Sequence, residues 1–304
     1  MEHQITGPIL ITGASTGIGR CITELLSAKG YTVYAGARKQ TDLDELDQIE
    51  NVKAIKLDVT NADQIENMVQ LIKNEGKGLY AVVNNAGVGD SGPLIEFQEE
   101  NFDFLINVNI KGPFRITKAV ADFIIESKGR IITIGSISGI LSSAFLGPYS
   151  MSKHAMEAYS DSLSLEMKKF DVKVSLIEPG NYDSAIVRSA TTRAQLKPNF
   201  LENTKYGEEL QTIREGADSE SGDRSNFKPP DEVADAIYDA LTSDIPKARY
   251  MVTPDLEEAT RTIDKAISEL IQLNENPKYS FSPEQLGMKI KKFMEEGIPS
   301  GFAS

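Results

Sequence analysis

The chain has 304 residues, 40% hydrophobic and 25% charged, which is room for one large α/β domain with a substantial core. Its net charge of −13 argues against a nucleic-acid surface, which needs a basic patch, and disfavours an anionic membrane. The acid-rich stretches at 99–103, 215–223, 231–239 and 255–269 read as solvated faces that aid solubility. No apolar run approaches the ~20 residues that cross a bilayer, so no membrane insertion is expected. Met1-Glu2-His3-Gln4 lacks the basic segment of a signal peptide. A lone cysteine, Cys21, excludes an intrachain disulfide and fits a reducing, cytoplasmic setting; it reads as a small buried helix residue. Two histidines, His3 and His154, and no Cys/His cluster argue against a metal site.

In chain order, Ile9–Thr12 reads as a strand and 17–29 as a helix. Strands follow at 32–37 and 52–57, then a helix over about 61–74 and a strand at 79–83. Helices are expected at about 99–110 and 113–127, a strand at 130–134, a helix at about 149–169 and a strand at 173–177. Almost wholly apolar strands, each followed by a helix, indicate an α/β, doubly wound parallel sheet with helices on both faces. Ligands bind such sheets in the crevice at the carboxyl ends of the strands. Residues 181–229 lose the rhythm and read as a substrate lid or disorder. A helix resumes at Asp231, read as its N-cap, with Val233, Ile237 and Leu241 on one face; a last strand is expected at 249–252. Helices at 256–273 and 283–295 form a C-terminal extension over 254–304 of an otherwise single domain spanning 1–304.

Five stretches carry chemistry. Thr12-Gly13-Ala14-Ser15-Thr16-Gly17-Ile18-Gly19 lies between the first strand and first helix. Its glycines allow a sharp turn and close approach to a pyrophosphate, whose charge suits the helix N-terminus. The second strand ends Tyr34-Ala35-Gly36-Ala37-Arg38-Lys39. An acid there would bind the ribose 2′-hydroxyl of NAD; two cations instead suit a 2′-phosphate, hence NADP(H) over NAD(H). Asp58-Val59, closing the third strand, is placed for adenine contact through carboxylate and main-chain amide, or for a cap. Asn84-Asn85-Ala86-Gly87, at the fourth, suits the cofactor trough and a tie between strands, or a simple polar turn. Tyr149 and Lys153 stand about one helical turn apart, so phenol and ammonium share a face. A cation there is expected to lower the phenol pKa from about 10, making a general acid/base.

With these motifs in place, the chain resembles the short-chain dehydrogenase/reductase family, of the single-domain type with Thr-Gly-x-x-x-Gly-x-Gly. The likeness runs over about 8–180: Thr12–Gly19, Asp58, Asn84–Gly87, the Asn109/Ser136/Tyr149/Lys153 set and Pro179-Gly180, in order. It implies a Rossmann fold of about seven strands. It implies that Ser136 holds the substrate oxygen and Tyr149 moves the proton. Lys153 would tune Tyr149 and bind the nicotinamide ribose, and Asn109 would hold a water linking Lys153 to solvent. A threonine usually follows Pro-Gly and contacts the nicotinamide; here Asn181-Tyr182-Asp183-Ser184 follows, which assigns that contact to Ser184. The family's habit implies a homodimer or homotetramer through the helices at 99–127 and 149–169. The tail resembles that of microbial reductases and of the retinol and hydroxysteroid subgroup, implying a bulky, apolar carbonyl or alcohol substrate. The alternative is an NADP(H)-binding redox sensor without turnover.

Overall fold

The computed structural model of the chain describes residues 5–183, 186, 203–212, 227–275 and 278–299. Seven strands, β1 (Ile9–Thr12), β2 (Val33–Ala37), β3 (Val52–Lys56), β4 (Ala81–Asn84), β5 (Arg130–Ile134), β6 (Lys173–Pro179) and β7 (Arg249–Val252), form one sheet. Their order is β3-β2-β1-β4-β5-β6-β7 and every pairing is parallel. Successive side chains point to opposite faces, so each strand feeds two cores. Ile9, Ile11, Val33, Ala35, Ile132 and Ile177 pack on one side, while Leu10, Tyr34, Val82 and Ile131 pack on the other. Burial on both faces is why these strands are continuous apolar runs rather than alternating ones.

Helix α1 (Gly17–Ala28) covers the first face with Ile22 and Leu26, beside α7 (Asp231–Thr242) with Val233, Ile237 and Leu241. The second face is covered by α3 (Ala62–Glu75), α4 (Glu99–Asn109) and α5 (Lys111–Ser127), through Met68, Ile72, Leu105, Ile116 and Val120. Helix α6 (Gly147–Met167) precedes β6, and α8 (Leu256–Asn274) and α9 (Pro283–Glu296) follow β7. Among the described residues no helix is long and apolar enough to cross a membrane.

The strand order reverses between β1 and β4, and the crevice opens there. Two details differ from the sequence reading. A short helix, α2 (Gln40–Leu46), follows β2 and buries only Leu43 and Leu46; seven residues give too little periodicity to read. Asp231 is not the N-cap of α7: Pro230 holds that position with no side-chain cap bond, and Asp231 is a first-turn residue. There its Oδ1 accepts from the Cys21 thiol at 3.3 Å. Burial, then Asp231, pushes that thiol up to about 12, so it stays protonated and inert. Of the 181–229 segment, 184–185, 187–202 and 213–226 lie outside the described residues.

Candidate active site

The turn between β1 and α1 is held by Asn85. Its Nδ2 donates to the carbonyls of Thr12 at 2.9 Å and Gly13 at 3.0 Å. Thr12 Oγ1 accepts from the amides of Asn85 and Ala86, both at 3.0 Å. Gly13 sits at φ +67, where a side chain would be strained. A Cβ on Gly19 would strike the Gly13 carbonyl and the Asn85 amide, so Gly19 packs beneath the turn. Asn84 is tied elsewhere, donating to Thr117 Oγ1 at 2.9 Å.

A cleft of about 430 Å³ runs along this turn. Gly13, Ser15, Thr16, Gly17 and Ile18 form one wall, and Asn85, Ala86, Gly87 and Val88 another; Arg38, Lys39, Asp58 and Val59 also line it. The first turn of α1 carries no acid, so its N-terminal amides face the cleft with their positive dipole end unopposed. This arrangement fits a dinucleotide with its pyrophosphate on the turn. Asp58 does two jobs: Oδ1 accepts from Thr60 N at 2.9 Å and Thr60 Oγ1 at 2.6 Å, while the residue still lines the cleft. Its own amide is committed to Gln64 Oε1 at 2.7 Å, so the main-chain contact expected at this strand end falls to Val59. Asp42, the first-turn acid of α2, lines the same cleft; it belonged to the element the sequence reading missed.

A second cavity of about 330 Å³ adjoins the first, with Ile18, Asn85 and Ile186 common to both linings or walls. Ser136, Tyr149, Lys153, Pro179 and Gly180 converge on it. Ser136 follows β5 by two residues; its Oγ accepts from Ser138 N at 3.1 Å and so caps the following turn. Tyr149 lies in the first turn of α6, which Pro148 starts, and Lys153 follows one turn on. Pro179 ends β6, and the Gly180 amide donates to Val252 at 2.8 Å. Ser184 lies outside the described residues, as do Arg188 and Arg193.

The electrostatics correct one expectation. Lys153 is buried and donates to the Ile134 carbonyl at 2.9 Å, with its ammonium 5.6 Å from the Tyr149 ring centre. The bond of the ammonium is therefore to a backbone oxygen. Burial pushes Tyr149 up to about 12, with only a hydrogen bond from Ser136 pulling it down. Burial likewise pushes Lys153 down to about 8, opposed by Glu157. The Asn109 side chain is anchored: Oδ1 accepts from Val88 N at 2.8 Å, and Nδ2 donates to the Val88 carbonyl at 2.9 Å and Ser152 Oγ at 3.0 Å. Its side-chain N–H groups clamp the β4 loop to α6.

Behind Lys153 lies a group that sequence reasoning missed. Glu157, one turn further along α6, faces Glu178 of β6. Glu157 Oε2 accepts from Arg249 Nε at 3.0 Å, and Asp161 takes the same guanidinium. Oε1 of Glu157 and Oε1 of Glu178 find no donor among the described residues, which a proton shared between the two acids would satisfy. Burial first, then the charge and hydrogen bond of Glu157, push Glu178 up to about 8, against the pull of Arg249.

The likeness to known proteins follows this geometry. A family model described as "short chain dehydrogenase" matches residues 8–195. The 3-ketodihydrosphingosine reductase of Bacteroides thetaiotaomicron is 37% identical over 185 residues, 60% of this chain and 66% of that protein. The mitochondrial D-beta-hydroxybutyrate dehydrogenase of Mus musculus is 31% identical over 265 residues, 80% of this chain and 75% of that one. The closed form of a serine dehydrogenase complexed with NADP+ superposes with a TM-score of 0.68 at 26% identity, over 81% of this chain and 94% of that structure.

The acid pair makes stability depend on pH. A raised carboxyl pKa means that Glu178 favours the folded state while protonated, and this contribution fades as pH climbs from the ordinary carboxylate range through about 8. Urea unfolding of wild type and Glu178→Gln, compared from pH 6 to 9.5, should show the variant gaining on wild type by about 1 kcal/mol or more across that window. A difference that does not change with pH would remove the shared proton.

Proposed function

The chain belongs to the short-chain dehydrogenase family, and from that premise we propose that it interconverts a carbonyl and a secondary alcohol on a small-to-medium, fairly apolar substrate with NADP(H). As an oxidoreductase of this family it acts on alcohol and carbonyl groups. The observation that carries the proposal is the convergence of Ser136, Tyr149 and Lys153 on one cavity wall beside the dinucleotide cleft. The bound nicotinamide supplies or accepts the hydride.

The protein's own residues handle orientation and the proton. Ser136 orients the substrate oxygen against the phenol. Tyr149, protonated at neutral pH with its pKa near about 12, gives a proton to a carbonyl oxygen during reduction. Alcohol oxidation needs the phenolate instead, so it gains as pH rises. Lys153, held by Ile134, would bind the nicotinamide ribose of a bound cofactor. Apolar residues such as Ile137, Leu141 and Leu146 keep the cavity dry and accept an apolar substrate body. The exposed Phe104 of α4 and Phe114 of α5 support a homodimer through those helices. Tyr149 and Lys153 both line the second cavity, so the redox-sensor alternative gains no support.

The choice of NADP(H) over NAD(H) rests on Arg38 and Lys39, both exposed on the cleft that also holds Asp42. Nicotinamide fluorescence should show NADPH binding tighter than NADH, and Arg38→Ala should erase about tenfold of that preference, as expected for one charge-assisted phosphate contact. Tighter NADH binding would assign the ribose to Asp42. With NADPH and a panel of ketones, Tyr149→Phe should lower kcat by about 100-fold or more while cofactor affinity stays near wild type. Undiminished turnover in that variant would remove Tyr149 from the proton path.

A further inference from the structure

Helix α8 enters the substrate cavity in a way that the reaction above does not use. Its start is pinned over the end of β6: Asp255 caps it by accepting from Glu258 N at 2.9 Å, and Glu258 Oε2 accepts from Asn181 N at 3.0 Å. Oε1 of Glu258 accepts from the Asn181 side chain as well. Three residues on, and therefore on the same helix face, Arg261 reaches the cavity lining. Its guanidinium donates to Ser143 Oγ at 3.3 Å, across the cavity on the β5–α6 loop that also carries Ser136.

Two acids, Asp90 and Glu258, line this cavity together with the cations Lys153 and Arg261. Glu258 is bonded to Asn181, and Lys153 to the Ile134 carbonyl. Among the described residues, the hydrogen bond of Arg261 goes to a neutral hydroxyl, and no carboxylate lies within ion-pair distance of it. Its guanidinium thus lines the cavity that holds Tyr149 without a salt-bridge partner among the described residues. A guanidinium presents a planar fork of donors that matches a carboxylate with two parallel hydrogen bonds. Arg261, Ser136 and Tyr149 line the same 330 Å³ cavity, so one substrate can meet the guanidinium and the catalytic pair together.

We infer that Arg261 is a specificity-determining residue that holds a carboxylate on the substrate, so that the preferred substrates are oxo acids and hydroxy acids whose apolar body spans from Arg261 to Tyr149. This rests on the carbonyl–alcohol reading of the same cavity. The substrate carboxylate supplies the salt-bridge partner, and Ser143 Oγ steadies the guanidinium when it is empty.

The test uses the full chain with saturating NADPH or NADH and methyl ketones bearing a terminal carboxylate, from 3-oxobutanoate to 7-oxooctanoate, each beside its methyl ester. At one or more chain lengths the acid should exceed its ester in kcat/KM by about tenfold or more, mainly through KM, as one charge-assisted pair provides. That ratio should fall to near one in Arg261→Met and be partly kept in Arg261→Lys. Calorimetric titration of the same acids and esters into the protein saturated with oxidised cofactor gives the preference without turnover. Equal affinity for acid and ester, or an acid preference that Arg261→Met leaves intact, overturns the inference. Acid-selective binding that depends on Arg261, with no turnover of any ketone, would support it and count against the catalytic reading alone.

Discussion

The clasp between Thr12 and Asn85 is what the rest of the site depends on. β1 and β4 lie side by side where the strand order reverses, and their ends must be joined without filling the crevice between them. Asn85 does this from its side chain, bonding two carbonyls of the β1 turn, while Thr12 returns the tie through two amides. Backbone groups that strand ends leave without partners are satisfied locally, so none has to turn into the cleft. The glycine turn is left free to present its amides, and Ile18 and Asn85 form the boundary between the two cavities. Cofactor and substrate readings thus share one structural premise.

Burial dominates the second layer of the site. Burial favours the neutral form of both an ammonium and a phenol, so the pKa values of Lys153 and Tyr149 move apart, Lys153 down and Tyr149 up. The bond from Lys153 to Ile134 and the charge of Glu157 keep the cation tolerable in that position. Behind it the Glu157–Glu178 pair takes up a proton rather than two full charges, and Arg249 and Asp161 complete a network linking α6, β6 and β7. The helix that carries the proton donor is therefore fixed to the sheet by polar contacts as well as by packing.

The strands were legible because burial on both faces makes them unbroken apolar runs, and the glycine turn because its backbone demands specific residues. Tyr149, Lys153 and Ser136 were legible through spacing and order along the chain. What stayed hidden depends on three-dimensional pairing. Glu157 and Glu178 stand on a helix and a strand, and no local pattern marks them as facing. Arg261 sits on an amphipathic helix whose sequence does not say that its first turn closes over β6. The lowered phenol pKa expected from Lys153 did not hold, because burial dominates Tyr149 and the Ile134 carbonyl that takes the ammonium is anonymous in sequence. The side-chain partners of Asn109, the Val88 amide and carbonyl and the Ser152 hydroxyl, are likewise unmarked by any local pattern.

The central claim is that one crevice joins a hydride from the dinucleotide cleft to a carbonyl held by Ser136 and Tyr149. Single-turnover reduction of a ketone with cofactor deuterated at nicotinamide C4, followed by mass and NMR analysis of the product, tests it most directly. The account predicts one deuterium on the carbinol carbon of a single product enantiomer, and a hydroxyl proton drawn from solvent. Ketone consumed with no deuterium transferred to carbon would contradict it.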